Sequence, residues 1–247
     1  MYSPVLLVIA HGSRDPRHAA CASALVSRIR SERPGLRVEV GFLDFNTPSV
    51  PALLEQLADE GVREVVTLPL LLTRAYHATV DIPAILRRAP STLRIHPAEV
   101  LGPSPLLVRT LERRLYEAGL SPADKGSTGL VLAAAGSTDV AALSAISDVA
   151  RGLHRAGWGQ VTPAFASSGL PRPDEAVRTL RLRGAERVAV APYVIAPGFF
   201  LDRIAGYSQA ADCLAGPLGA APEMSRLAVL RYEEAVDRSV PRVGQAA

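Results

Sequence analysis

Three side chains in the N-terminal half carry the chemistry that a bound divalent metal asks for: His11, Asp44 and His77. Each comes at or shortly after the end of an apolar run, and in open α/β sheets ligands settle beyond the carboxyl ends of the strands. Two imidazoles and a carboxylate meeting in one crevice suit a borderline cation such as Fe²⁺, Co²⁺ or Ni²⁺. A neutral imidazole with an ordinary pKa of about 6.5 can hold such an ion or accept a proton near neutrality. The three residues are far apart in sequence, so only the fold can bring them together. Each also has an ordinary reading: His11 as a turn residue bonded to backbone, His77 as the start of a helix, and Asp44 before Asn46-Thr47-Pro48 as turn chemistry. His18, His96 and His154 read as surface or helix residues rather than ligands, with His96 able to reach the same sheet edge.

The elements that must position these groups alternate from the start of the chain. Apolar runs at 5–10, 38–42 and 65–72 read as strands, and 93–96 as a short fourth strand. Cys21, Leu25 and Ile29 repeat as one face of a helix. Leu53, Leu54, Leu57 and Ala58 mark a second helix, residues 82–88 a third, and Leu107, Leu111 and Leu115 a long fourth. Continuous apolar strands separated by helices predict a doubly wound parallel sheet covered on both faces.

Gly119 to Gly129 is linker chemistry, and the pattern then begins again. Strands are expected at 129–134, 161–166 and 187–195, with helices at 140–156, 174–183 and 225–236. The stretch before Leu218 is short and rich in Ala and Gly, and leaves open whether an eighth strand is present there. The halves can be laid on one another. Ala10-His11-Gly12-Ser13 matches Ala134-Ala135-Gly136-Ser137, and Gly41-Phe42 matches Ala164-Phe165. Residues 65–69 match 188–192, and Leu101-Gly102-Pro103-Ser104-Pro105 matches Leu218-Gly219-Ala220-Ala221-Pro222. Four anchors in one order indicate a tandem duplication. The expected division is an N-terminal unit at 1–122 that carries the metal site and a degenerate repeat at 127–247 that forms the other wall of a cleft. His11 corresponds to Ala135, Asp44 to Ser167 and His77 to about Phe200. The ligand-type residues are lost in the second copy, while the glycine, serine and proline framework stays.

Leu6-Leu7-Val8-Ile9-Ala10-His11-Gly12-Ser13-Arg14-Asp15-Pro16 resembles the N-terminal signature of the class II sirohydrochlorin chelatases. Phe42-Leu43-Asp44-Phe45-Asn46-Thr47-Pro48 resembles their second-strand motif. Pro69-Leu70-Leu71-Leu72, followed by Tyr76-His77-Ala78-Thr79-Val80-Asp81-Ile82-Pro83, is similar to their third, and Leu101-Gly102-Pro103-Ser104-Pro105 to their fourth. The rest resembles the degenerate second half of the two-domain members. The resemblance implies ATP-independent insertion of Fe²⁺ or Co²⁺, with Ni²⁺ also compatible, into sirohydrochlorin. His11 and His77 fall on the family's metal-binding histidines. Asp44 falls where two-domain members carry a glutamate; one methylene shorter, it acts through water, as a base, or as a ligand. The ring's carboxylates make Arg14, Arg74 and Arg203 candidate anchors, with Phe199 and Phe200 as an apolar face. The Gly12-Ser13 turn, like Gly136-Ser137, could cradle an anion at a helix start, which makes Ser13 a candidate too.

Two other functions compete. A histidine-phosphatase-type phosphoryl transferase would use a strand-end His-Gly, but expects arginine immediately before it, where this chain has Ala10. A non-catalytic carrier of metal or tetrapyrrole would bind without turnover.

Composition sets broader bounds. The 247 residues are 48% hydrophobic and 21% charged, enough for one large core or two small ones. A net charge of +3 does not imply a nucleic-acid partner. No apolar run approaches the roughly 18 residues of a membrane span, and the N-terminus reads as a strand rather than a signal peptide. Cys21 and Cys213 lack metal-motif spacing and read as reduced thiols. A cytoplasmic protein is expected, and one chain that supplies both cleft walls can work as a monomer. All but one of the 27 basic residues are arginine, the exception being Lys125; the bias reads as genome composition more than function, although arginine's planar fork suits carboxylate recognition.

Overall fold

A computed structural model describes residues 3–74 and 80–239. His77 lies outside the described residues, as does the Tyr76–Thr79 part of the third motif.

The strands are β1 (Val5–Ala10), β2 (Val38–Phe42), β3 (Glu64–Pro69) and β4 (Arg94–Pro97), then β5 (Thr128–Gly136), β6 (Val161–Ser168), β7 (Arg187–Tyr193) and β8 (Cys213–Leu214). They form two four-stranded parallel sheets, ordered β2-β1-β3-β4 and β6-β5-β7-β8. The second sheet keeps a fourth strand, a point that the sequence left open. It is two residues long and pairs Cys213 and Leu214 with Ala189 and Val190. A strand that short leaves no pattern to read.

The helices are α1 (Pro16–Glu32), α2 (Val50–Asp59), α3 (Ile82–Leu86) and α4 (Pro105–Glu117), then α5 (Val140–Arg155), α6 (Pro173–Leu182), α7 (Phe199–Tyr207) and α8 (Pro222–Ser239). Helix α7, which follows a run of Pro and Gly, was not expected. The inward face of α1 is Ala22, Leu25, Val26 and Ile29, shifted one position from the expected Cys21, Leu25 and Ile29. Cys21 lies only half buried on its flank.

Alternation along the strands divides the core. Leu6, Val8 and Ala10 of β1 join Leu130, Leu132 and Ala134 of β5 in one cluster between the sheets. Val5, Leu7 and Ile9 face outward against α2 and α3, and Val131 and Ala133 face α6 and α7. Helices α1, α4, α5 and α8 therefore lie between two sheets, and α2, α3, α6 and α7 cover the outside.

The last helix of each repeat is exchanged. Helix α4 packs on β7 and α5 of the second repeat, and α8 packs on α1, β3 and β4 of the first. The exchange is reciprocal in detail. Arg114 of α4 donates to the Leu218 carbonyl at 2.9 Å, and Arg231 of α8 donates to the Leu101 carbonyl at 3.2 Å and that of Val100 at 2.9 Å. Both pairs sit at matching places in the duplication, so each repeat clamps the other's loop before the helix.

Candidate active site in the cleft between the repeats

In both sheets the strand order reverses between the first and third strands of the repeat. That switch point is where open α/β sheets bind ligands. A cavity of about 430 Å³ lies at the two switch points together, within the range of small-molecule sites. One wall comes from the end of β1 (Ala10–Ser13), from α1 (His18 and Ala22) and from the segment after β3 (70–73). The other comes from the ends of β5 and β7, from Ile146 and from the start of α7.

The turn after β1 has a physical reason at each position. Gly12 adopts φ +91°, and a Cβ there would stand 1.9 Å from the Asp44 carbonyl oxygen, so no other residue fits. The Ser13 hydroxyl accepts the Asp15 N–H at 3.1 Å. The Asp15 carboxylate accepts the Arg17 N–H at 2.9 Å and so caps α1. The second repeat copies each contact. Gly136 has φ +96° and would clash at 1.9 Å with the Ser168 carbonyl. Ser137 accepts from Asp139 at 3.0 Å, and Asp139 caps α5 through Ala141 at 2.8 Å. The shared Gly-Ser-x-Asp framework is thus explained by the turn alone, and the difference between repeats is His11 against Ala135. A register shift between Ala134 and Gly136 makes Ser168, rather than the expected Ser167, the structural counterpart of Asp44.

His11 is half buried on the cavity wall. Its Nδ1 lies 3.2 Å from the Gly12 carbonyl oxygen.

The backbone of Asp44 is joined to that of His11, its N–H donating to the His11 carbonyl at 2.9 Å. Its side chain is exposed, accepts the Phe45 N–H at 2.8 Å and does not line the cavity. Ser13, Phe199 and Phe200 do line it. The two phenylalanines are 67% and 41% exposed and meet edge to face at 5.3 Å. Arg203 stacks 5.9 Å from the Phe199 ring, and Arg14 lies 5.4 Å over Phe45 on the first repeat. Each repeat therefore carries an arginine resting on an exposed ring, and Arg14, Phe45 and Arg203 themselves do not line the cavity. Arg74 pairs with Glu99 on the surface. Arg17 holds Asp15 and also Asp202 of α7, both at 2.6 Å, across the repeats. These carboxylates raise its already high pKa, and in return Arg17 holds Asp15 below the usual carboxylate range.

Two residues were missed. His18, expected on the surface, lines the cavity, and its Nδ1 is buried with no hydrogen-bond partner. Burial, and then the charge of His11, hold its pKa below the ordinary value. The signal was present: residues 18, 22, 25 and 29 recur at the spacing of one helix face, and Asp15 fixes where the helix begins. Tyr193, at the end of β7, also lines the cavity with a buried, unpartnered hydroxyl. Nothing in its local sequence marks it. His154 is a cap, its Nδ1 within 2.8 Å of the Gly159 carbonyl, in keeping with its helix reading. Among the described residues no group of three or more His, Cys, Asp or Glu is placed to hold a metal ion.

The fold and cleft define a class: a duplicated parallel α/β protein whose ligand cavity spans both repeats. The CbiX family model matches residues 5–118 and 129–235, and the chain belongs to that family. It is 25% identical, over 97% of its length and 82% of the relative's, to a sirohydrochlorin cobaltochelatase of Priestia megaterium. It is 26% identical, over 82% of its length and 77% of the relative's, to a sirohydrochlorin ferrochelatase of the same organism. The fold matches SirB from Bacillus subtilis with Fe³⁺ at a TM-score of 0.83, covering 96% of this chain and 97% of that one at 21% identity. A SirB structure from B. subtilis subspecies spizizenii in complex with cobalt gives 0.80 over the same shares.

Proposed function

We propose that this chain is a metal chelatase, a lyase in the reverse sense, that inserts Fe²⁺ or Co²⁺ into sirohydrochlorin without ATP. Ni²⁺ fits the same donor chemistry. The observation that carries the reading is the asymmetric cleft: an imidazole stands at the switch point of one repeat where the other has only Ala135. Family membership over both repeats supports it, as do the named activities of the relatives.

The metal and the macrocycle are both substrates. Metalation requires the ring to lose two pyrrole protons while the ion sheds water. His11 holds the ion, and His77 joins it as the family resemblance implies. Asp44, whose side chain faces solvent, acts through water or as a base rather than from inside the cavity. Phe199 and Phe200 offer an apolar face, and Arg14 and Arg203 offer forks to the ring's carboxylates. Ser13 serves through the turn that it closes. Arg74 is available at the first repeat's edge if it leaves Glu99.

The turn after β1 is already bonded internally. The Ser13 N–H donates to the Asn46 side chain at 2.8 Å, and the Asp15 N–H donates to Ser13. These are donors that a phosphate would need. Functionally we divide the chain at 1–122, which carries the metal-facing groups, and 127–247, which forms the opposite wall. Both walls belong to one chain, and a monomer suffices.

The test is an anaerobic absorbance assay of sirohydrochlorin with Fe²⁺ or Co²⁺, with and without ATP. The expected result is protein-dependent conversion at a rate indifferent to ATP. Stoichiometric binding without turnover would make the protein a carrier and contradict the proposal.

A further inference from the structure

Resting on the reading of this cleft as a tetrapyrrole site, we propose that the Tyr193 hydroxyl and the His18 Nδ1 are the cavity's polar anchors, one contributed by each repeat, for acidic side chains at the edge of the macrocycle. The cavity lining is otherwise mostly Ala, Leu, Ile and Gly. Among its polar side chains, Ser13 and Ser137 accept the Asp15 and Asp139 N–H groups and so hold the two turns, Thr73 lies in the segment after β3, and His11 is assigned to the metal. Among the described lining residues, Tyr193 and His18 each bury a polar atom that makes no hydrogen bond.

A buried unpaired hydroxyl lowers the stability of the resting protein, and phenylalanine would fill the same volume without that penalty. Tyr193 is only 3% exposed. It follows Ala189 and Ala191 on the inward face of β7, so small neighbours leave room for its ring. A Cβ on Gly102 would lie 2.7 Å from the phenol oxygen and 2.3 Å from the Leu72 carbonyl. Glycine there lets the hydroxyl cross from the second repeat to the first, beside the segment that lines the opposite wall. His18 stands on that wall, one turn above Ala22, and its unpaired nitrogen is shielded from solvent.

The chemistry of the two atoms specifies the partner. Burial raises the phenol's pKa, so the oxygen keeps its proton and donates. The imidazole can present Nδ1–H as a second donor, and a carboxylate only accepts. Two donors in an apolar cavity, one contributed by each repeat, fit a flat apolar ring with acidic groups at its edge. They would reject a ring without them, since the site's polar groups would then stay unpaired.

The experiment uses the full chain and sirohydrochlorin without metal, reading the dissociation constant by fluorescence titration and the melting temperature of the free protein. Tyr193→Phe is expected to weaken binding about tenfold, the loss of one good hydrogen bond, with an unchanged or higher melting temperature. In metalation assays the loss appears in KM rather than kcat. His18→Leu should weaken binding similarly, and His18→Asn, which keeps a donor near Nδ1, should restore most of it. Wild-type affinity in Tyr193→Phe, or a melting temperature well below wild type, would overturn the assignment while leaving the chelatase reading intact. A wild-type protein that binds no sirohydrochlorin would remove both.

Discussion

At the scale of single residues, the turn after β1 separates what the backbone demands from what chemistry uses. Gly12 and Gly136 face the same obstacle, a carbonyl oxygen 1.9 Å from where a Cβ would stand, at nearly the same positive φ. Gly12→Ala and Gly136→Ala should therefore destabilise by similar amounts, about 2–4 kcal/mol each from strain and overpacking, as measured by denaturant unfolding. Unequal losses would mean that the two turns are not equivalent. Position 11 against 135 is where the repeats part. His11 was legible because its copy lacks it, a comparison that the duplication places inside one chain. Asp44 was legible as a candidate, but not the direction of its side chain, which turns to the Phe45 N–H. Tyr193 was not legible, since its significance depends on Leu72 and Gly102, which only the folded chain brings near. His18 was legible in principle from helical spacing, but one histidine among arginines gave no reason to extend the buried face by a turn.

At the scale of elements, the reciprocal clamps make testable statements about the exchanged helices. Arg231 has a largely buried side chain and donates to two carbonyls of the loop before α4. Arg231→Ala should cost about 1–3 kcal/mol by leaving those acceptors unpaired. Arg114→Ala, at the matching place, should cost a comparable amount, and the two losses should couple in a double mutant because they join the same pair of helices. Helices α4 and α8 also meet through Arg113 and Glu223, joined at 2.7 Å. The Arg113 guanidinium holds the Glu223 carboxyl below its ordinary value. A depressed carboxylate contributes stability that is present above the unfolded pKa near 4.5 and is lost as pH falls through the folded value. Unfolding free energy of the wild type should therefore fall below about pH 4.5. Glu223→Gln should lower stability at neutral pH and show a shallower acid-side decline. An identical acid slope in the variant would contradict the pairing. The strands were readable because burial on both faces makes them continuously apolar. Helix α7 and strand β8 were not, since one follows a Pro-Gly run and the other is two residues long. Amphipathic patterning shows that α4 and α8 bury a face, but not that the face belongs to the other repeat.

At the scale of the whole molecule, the exchange of helices makes the two sheets share one core, so the cleft at their carboxyl edges is framed by a common structure rather than by two hinged bodies. The Arg17–Asp202 pair lies across the same edge. Its partners are both half exposed, so its contribution to stability is small. The repeats thus supply one wall with an imidazole and one without, as expected if metal is delivered from a single face of the ring. The most direct check is the initial rate of Co²⁺ insertion into sirohydrochlorin by His11→Ala, beside its unfolding curve. Rates reduced at least a hundredfold, with stability within about 1 kcal/mol of wild type, are the outcome expected. Insertion at the wild-type rate by a folded His11→Ala protein would contradict the account.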